Sequence, residues 1–167
     1  TILAIYNSKP KQEISDVPTQ PVALQNAKMV SLPTPSFKSN TSVEAALKSR
    51  RSRRSFDDSS VSLKSVSQLL WSAQGVTVEW GGRTAPTAKS TYPLKIYLIA
   101  NKVDDLPSGV YEYIPGERES IHSLSPVKEG EFGEAIFTNL NQNSFKNVPG
   151  IIVIAGDMAK MATAYGG

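Results

Sequence analysis

The chain reads as one soluble domain that combines helices with strands, and three stretches carry that expectation. Ser62 to Gly75 places Leu63, Val66, Leu69, Leu70 and Ala73 at helical spacing, between a good N-cap and a good stop. Val110-Tyr111-Glu112-Tyr113, the turn residues Pro115-Gly116, and Ser120 to Leu124 have the pattern of a hairpin. Pro149-Gly150 opens Ile151-Ile152-Val153-Ile154-Ala155, a continuous β-branched run of the kind found in strands buried on both faces.

Composition agrees with that class. At 167 residues the chain is one domain long, with enough sequence to bury a core without disulfides. Hydrophobic residues make up 40% and charged residues 20%, as in soluble globular proteins. Lys and Arg number 18 against 15 Asp and Glu, so global charge says little for nucleic acid as a partner. Cysteine is absent, which excludes a thiolate nucleophile, a disulfide and Cys-ligated zinc. No apolar run approaches the roughly 20 residues of a membrane-spanning helix. The cytoplasm is the expected compartment. The sequence begins at Thr1 without Met, and a removed signal peptide stays open as an alternative.

The remaining elements follow in order. Residues 1–40 hold five prolines (Pro10, Pro18, Pro21, Pro33, Pro35) and no sustained period, and read as an extended arm lying on the body or on a partner. Thr41-Ser42-Val43-Glu44 fits a capping box with Thr41 as the cap, followed by a short stripe of Val43, Ala46 and Leu47. Trp80-Gly81-Gly82 reads as a loop and Leu94 to Ala100 as a strand. Glu129 to Leu140 reads as a short helix carrying Phe132, Ile136 and Phe137, and a last helix starts at Asp157. A domain that stops about one or two turns after its most buried strand reads as unfinished.

Chemistry concentrates in two places. Arg50-Arg51-Ser52-Arg53-Arg54-Ser55-Phe56 puts four guanidiniums and two hydroxyls into six positions. Arginine offers a planar fork of donors matched to phosphate oxygens. A solvated basic helix end, complementing the helix dipole, is the ordinary alternative, and a nucleic-acid contact is a further one. The second place is Arg83-Thr84-Ala85-Pro86-Thr87-Ala88 followed by Tyr92-Pro93-Leu94, whose small residues and prolines let backbone approach a flat ring. Together they outline a nucleotide-like cofactor site. Asp57 and Asp58 read as charges offsetting the arginines. His122, the single histidine, has no partner at metal-ligand or triad spacing. Tyr111, Tyr113, Trp71 and Trp80 read as core or edge packing. Gly81-Gly82 lacks the strand–turn–helix context of a dinucleotide fingerprint.

These residues also resemble a family. Arg50-Arg51-Ser52-Arg53-Arg54-Ser55-Phe56 is similar to the Arg-Arg-Ser-x-Arg-x-Phe signature of nitroreductase-family flavoproteins. Ser67 to Gly75, Arg83 to Ala88, Tyr92 to Tyr97 and Leu106 to Tyr113 follow in the order of its SagB-type dehydrogenase branch. The resemblance runs from about Val43 to Gly167. It implies an α+β fold with a nitroreductase-like mixed sheet flanked by helices. It also implies a homodimer with FMN at the subunit interface, and no nucleic-acid partner. Residues 1–40 would be the arm and residues 41–167 the FMN-binding domain, incomplete at its C-terminus.

By the same resemblance, Arg50, Arg51, Ser52 and Arg54 would bind the FMN phosphate and ribityl chain, with Arg53 at the surface. Pro86, Thr87, Ala88, Lys89 and Ser90 would line the flavin ring, largely through backbone. The implied activity passes electrons from NAD(P)H through FMN to a small aromatic or quinone-like acceptor. Alternatives are a SagB-type dehydrogenase acting on a peptide-derived substrate, and a flavin-binding module without turnover. Members that oxidise peptide heterocycles carry a Lys-Tyr pair near the last helix, where this chain has Ala164-Tyr165. The cofactor carries the chemistry in such enzymes, so no catalytic side chain is singled out.

Overall fold

A computed structural model describes residues 28–118, 121–140 and 147–166. Five strands form one sheet: β1 (Val30–Ser31), β2 (Leu94–Ala100), β3 (Gly109–Arg118), β4 (Ile121–Glu129) and β5 (Gly150–Gly156). Their spatial order is β1-β4-β3-β2-β5, and every pairing of these strands is antiparallel. Parallel pairing occurs, among the described residues, in the isolated bridge Val61–Val103. The helices are α1 (Val43–Ser49), α2 (Leu63–Gln74), α3 (Gly133–Leu140) and α4 (Met158–Tyr165). This is the expected α+β class, with the sheet antiparallel where a mixed one was expected. No helix among the described residues is long and apolar enough to cross a membrane.

The alternation of the strands builds the core. Ile96, Leu98 and Ala100 of β2, Tyr111 and Tyr113 of β3, and Leu124 of β4 are buried. Val66 and Leu70 of α2 pack against them. α2 has the predicted ends: the Ser62 hydroxyl accepts from the Ser65 N–H, and Gly75 closes the helix on the Trp71 carbonyl. Its apolar stripe is covered only in part, because Leu69 stays 42% exposed.

Four expectations are corrected. Among the described residues β5 pairs with β2 alone, at the edge of the sheet, and Val153 and Ile154 are exposed on its two sides, so it is not buried on both faces there. Pro115-Gly116 is not the hairpin turn. It lies inside β3, where the register with β4 shifts between Ile114 and Arg118, and Gly116 takes φ +75°. The cap of α1 is Ser42, whose hydroxyl accepts from the Ala45 N–H at 3.1 Å, while the Thr41 N–H turns to Ser39 Oγ. α3 starts at Gly133, because β4 continues through Glu129.

Part of the expected arm lies within the described residues. Val30 and Ser31 add β1 to the free edge of β4, opposite Leu124 and Ser123, and the Leu32 N–H donates to the His122 carbonyl at 3.1 Å. Residues 1–27 of that arm lie outside the described residues.

Candidate functional site

The arginine segment begins where α1 ends. Arg50 leaves helical geometry at φ −54°, ψ 128°, and its N–H closes the last turn on the Ala46 carbonyl. Arg51 Nη1 donates to the carbonyls of Lys48 (2.9 Å) and Arg50 (2.8 Å), capping the electronegative helix end. Residues 50 to 54 are all exposed. Among the described residues no carboxylate lies within ion-pair distance of these four guanidiniums. Asp58 pairs with Lys102 at 3.6 Å, and Asp57 binds Ser59. The two aspartates therefore do not neutralise the cluster as expected. The Ser59 hydroxyl, and then its backbone N–H, hold the Asp57 carboxyl below its ordinary range.

Phe56 anchors the segment downstream. It is half-buried and, with Val61, Val66, Leu69, Leu98 and Ile152, lines an apolar cavity of about 170 Å³ beside α2 and the start of β5. The Val61 N–H donates to the Lys102 carbonyl and the Asp104 N–H to the Val61 carbonyl, fixing the strand-like end of this stretch. The arginines thus sit on an exposed tether between α1 and an apolar anchor.

The second stretch is anchored on the C-terminal end of α2. The Thr84 N–H donates to the Gly75 carbonyl (2.9 Å), and the Thr84 hydroxyl donates to the Trp71 carbonyl (3.2 Å). The Arg83 guanidinium lies 4.4 Å over the Tyr92 ring, with Nη1 3.4 Å from Gln74 Oε1 and its buried Nε without a partner among the described residues. Pro86, Ala88, Lys89 and Ser90 are exposed, and Thr87 is half-buried.

Ala88–Ser90 forms a short 3-10 turn containing Lys89 at φ 54°, ψ 20°. Ser90 at φ 51° and Tyr92 at φ 41° share the left-handed region. Three such residues within four positions, none of them glycine, form a backbone outlier of the kind that clusters at functional sites. No hydrogen bond or ion pair among the described residues joins this turn to residues 50–54.

Sequence reasoning gave no positioning role to α4 or to His122. Tyr165, Lys160 and Ala164 of α4 all bond to the turn. His122 is buried and links three segments. Its Nδ1 lies 2.9 Å from the Tyr113 hydroxyl, and its Nε2 lies 2.9 Å from Ser67 Oγ and 3.0 Å from the Pro33 carbonyl. A carbonyl only accepts, so Nε2 donates to Pro33 and Nδ1 accepts from Tyr113. Burial pushes the Tyr113 phenol well above its ordinary range, keeping it a donor. Tyr111 and Tyr113 are core residues as expected, whereas Trp80 is 79% exposed.

The antiparallel sheet with helices packed on it is a fold shared with known proteins. Three of these carry the designation "putative nitroreductase". The Ralstonia eutropha crystal structure superposes with a TM-score of 0.63 at 24% identity, over 93% of this chain and 69% of that one. The Anabaena variabilis crystal structure gives 0.57 at 17% identity, over 74% of this chain and 25% of that one. The third, from Methanocaldococcus jannaschii, is 37% identical over 125 residues, 74% of this chain. The chain spans 61% of the length of that curated relative. The family model described as "Nitroreductase family" matches residues 47–167. The chain belongs to the nitroreductase family.

Proposed function

We propose that the chain is the FMN-binding part of a nitroreductase-type oxidoreductase that passes electrons from NAD(P)H to a small aromatic or quinone-like acceptor. The observation that carries this reading is the exposed tether of Arg50, Arg51, Ser52 and Arg54, without carboxylate partners among the described residues, in a chain of this family. Guanidiniums left unpaired beside one another repel, and a phosphate dianion resolves that repulsion with charge-assisted hydrogen bonds. The largely exposed stretch Pro86 to Ser90 suits a flat ring, so the residues present fit the group. Arg50, Arg51, Ser52 and Arg54 would bind the phosphate and ribityl chain, with Arg51 also steadying the tether through its bonds to the carbonyls of Lys48 and Arg50.

Bound there, FMN supplies the two-electron chemistry, and the chain's part is to bind, orient and screen it. The order of the motifs supports, within this proposal, the SagB-type branch. Ala164-Tyr165 in place of a Lys-Tyr pair favours the small acceptor over a peptide-derived substrate. The proposal includes a homodimer with the flavin between subunits, and the cytoplasm as the compartment. The 41–167 boundary of the FMN-binding domain belongs to it as well.

Flavin titration of the full chain tests the reading. FMN should bind in preference to FAD and riboflavin. Charge-assisted bonds contribute about 1.5–3 kcal/mol each. Arg54→Ala should therefore weaken FMN by about tenfold or more and leave riboflavin nearly unchanged. Equal losses for both ligands would sink the phosphate assignment.

A further inference from the structure

α4 is attached to the body in an unusual way. None of its residues is buried, and Met158 (77%) and Tyr165 (46%) face solvent. An eight-residue helix without a buried face has little stability of its own. What ties it down is polar and converges on one target. The Asp157 N–H donates to the Pro93 carbonyl at 2.8 Å. Lys160 Nζ donates to the Tyr92 carbonyl at 3.3 Å, and the Tyr165 hydroxyl donates to the Ala88 carbonyl at 3.1 Å. In the other direction, Lys89 Nζ donates to the Ala164 carbonyl at 3.0 Å and lies 4.7 Å over the Tyr165 ring. That ammonium stands at the electronegative end of the helix, closed by left-handed Gly166.

The residues these bonds bracket are the left-handed ones. Lys89, Ser90 and Tyr92 each adopt a backbone conformation that side chains disfavour, and such conformations persist only where surroundings over-determine them. We propose that α4 is a clamp on this turn, with Tyr165 and Lys160 as positioning residues that keep Ala88 to Tyr92 in the shape that supports the flavin ring. The inference rests on the proposed flavin reading of Pro86 to Ser90. It goes beyond that reading in assigning the turn's shape to a helix some 70 residues away. The coupling is reciprocal: whatever moves α4 loosens the turn, and whatever occupies the turn orders α4.

Tyr165→Phe removes the hydroxyl bond to Ala88 and keeps the ring over Lys89, so it separates the clamp from packing. In the full chain without flavin, the variant should exchange the Ser90 and Thr91 amide protons about tenfold faster, with helix content by circular dichroism unchanged. Its affinities for FMN and riboflavin should fall by the same factor, about three- to tenfold, because the ring contact is common to both. The double variant Tyr165→Phe/Ser90→Gly should regain most of that affinity, since glycine takes φ near 50° without strain. Lys160→Met should repeat the Tyr165→Phe pattern. Unchanged exchange, or faster exchange with unchanged flavin affinities, overturns the clamp. A wild-type chain that binds neither flavin overturns the flavin reading instead, and the exchange rates then report separately on whether α4 holds the turn.

Discussion

At the residue scale, His122 shows how a side chain with no partner in the sequence acquires three in the fold. Ser67, Tyr113 and the Pro33 carbonyl come from 55, 9 and 89 positions away. All three bonds lie at the junction where the arm's last strand meets the sheet. Removing the imidazole leaves the buried Tyr113 hydroxyl without its partner, at about 1–3 kcal/mol, and opens a cavity beside it, while the Ser67 hydroxyl keeps its bond to the Pro33 carbonyl. His122→Ala should therefore lower stability by roughly 2–4 kcal/mol and release β1, read as faster exchange of the Leu32 amide proton. A stability change below roughly 0.5 kcal/mol would refute this. Tyr113 adds a pH dependence. Its phenol is held above its ordinary range by burial, so above about pH 10 the unfolded chain loses this proton while the native chain keeps it. The native state then binds more protons, and stability falls as pH rises from there. Denaturation midpoints between about pH 9 and 11 should drop more steeply for the wild type than for Tyr113→Phe.

At the element scale, the β3–β4 ribbon depends on one glycine. Gly116 takes φ +75° at the register shift, and a Cβ there would run into the Ile121 carbonyl. Gly116→Ala should cost roughly 1–3 kcal/mol, whereas Gly156→Ala, with open space around it and no left-handed φ, should stay within about 0.5 kcal/mol. Urea midpoints of the two variants check this, and equal values would contradict it. α2 offers the complementary case of an element whose ends are set by neighbours in sequence. Ser62→Ala removes the hydroxyl that accepts from Ser65 and should cost about 1 kcal/mol.

At the scale of the whole molecule, apolar surface is left uncovered on α1 and on β5, among other places. Val43 (71%) and Leu47 (69%) on α1 are exposed, and Ile154 (40%) extends the core face of the sheet beyond α2. A seven-residue helix that buries nothing is marginal in water. In the proposed homodimer the second copy would cover these surfaces and bring the tether and the turn into one site. Light scattering of the full chain should give a dimer mass, and Val43→Glu/Leu47→Glu should shift it toward the monomer and weaken flavin binding. A wild-type monomer that holds FMN stoichiometrically would contradict the assembly.

What the sequence determined by itself was whatever depends on neighbours. The caps and stop of α2, the span of β2, the start of α4 and the existence of a hairpin follow from periods of 3.6 and 2 and from residues a few positions apart. The order of the Arg50–Phe56, Arg83–Ala88 and Tyr92–Tyr97 motifs likewise pointed to the family that residues 47–167 match. Tertiary structure decided what depends on long-range pairing. A β-branched run reads the same in the middle of a sheet or at its edge, so Ile151 to Ala155 could not announce that, among the described residues, β2 alone would pair with it. Pro115-Gly116 has the residues of a turn, but the antiparallel pairing on either side absorbs it as a bulge-like shift within β3. The lone histidine and the Lys160 and Tyr165 clamp were silent in sequence for the same reason. All but one of their partners lie tens of residues away, and a hydrogen bond across that distance exists only once the sheet has fixed both ends.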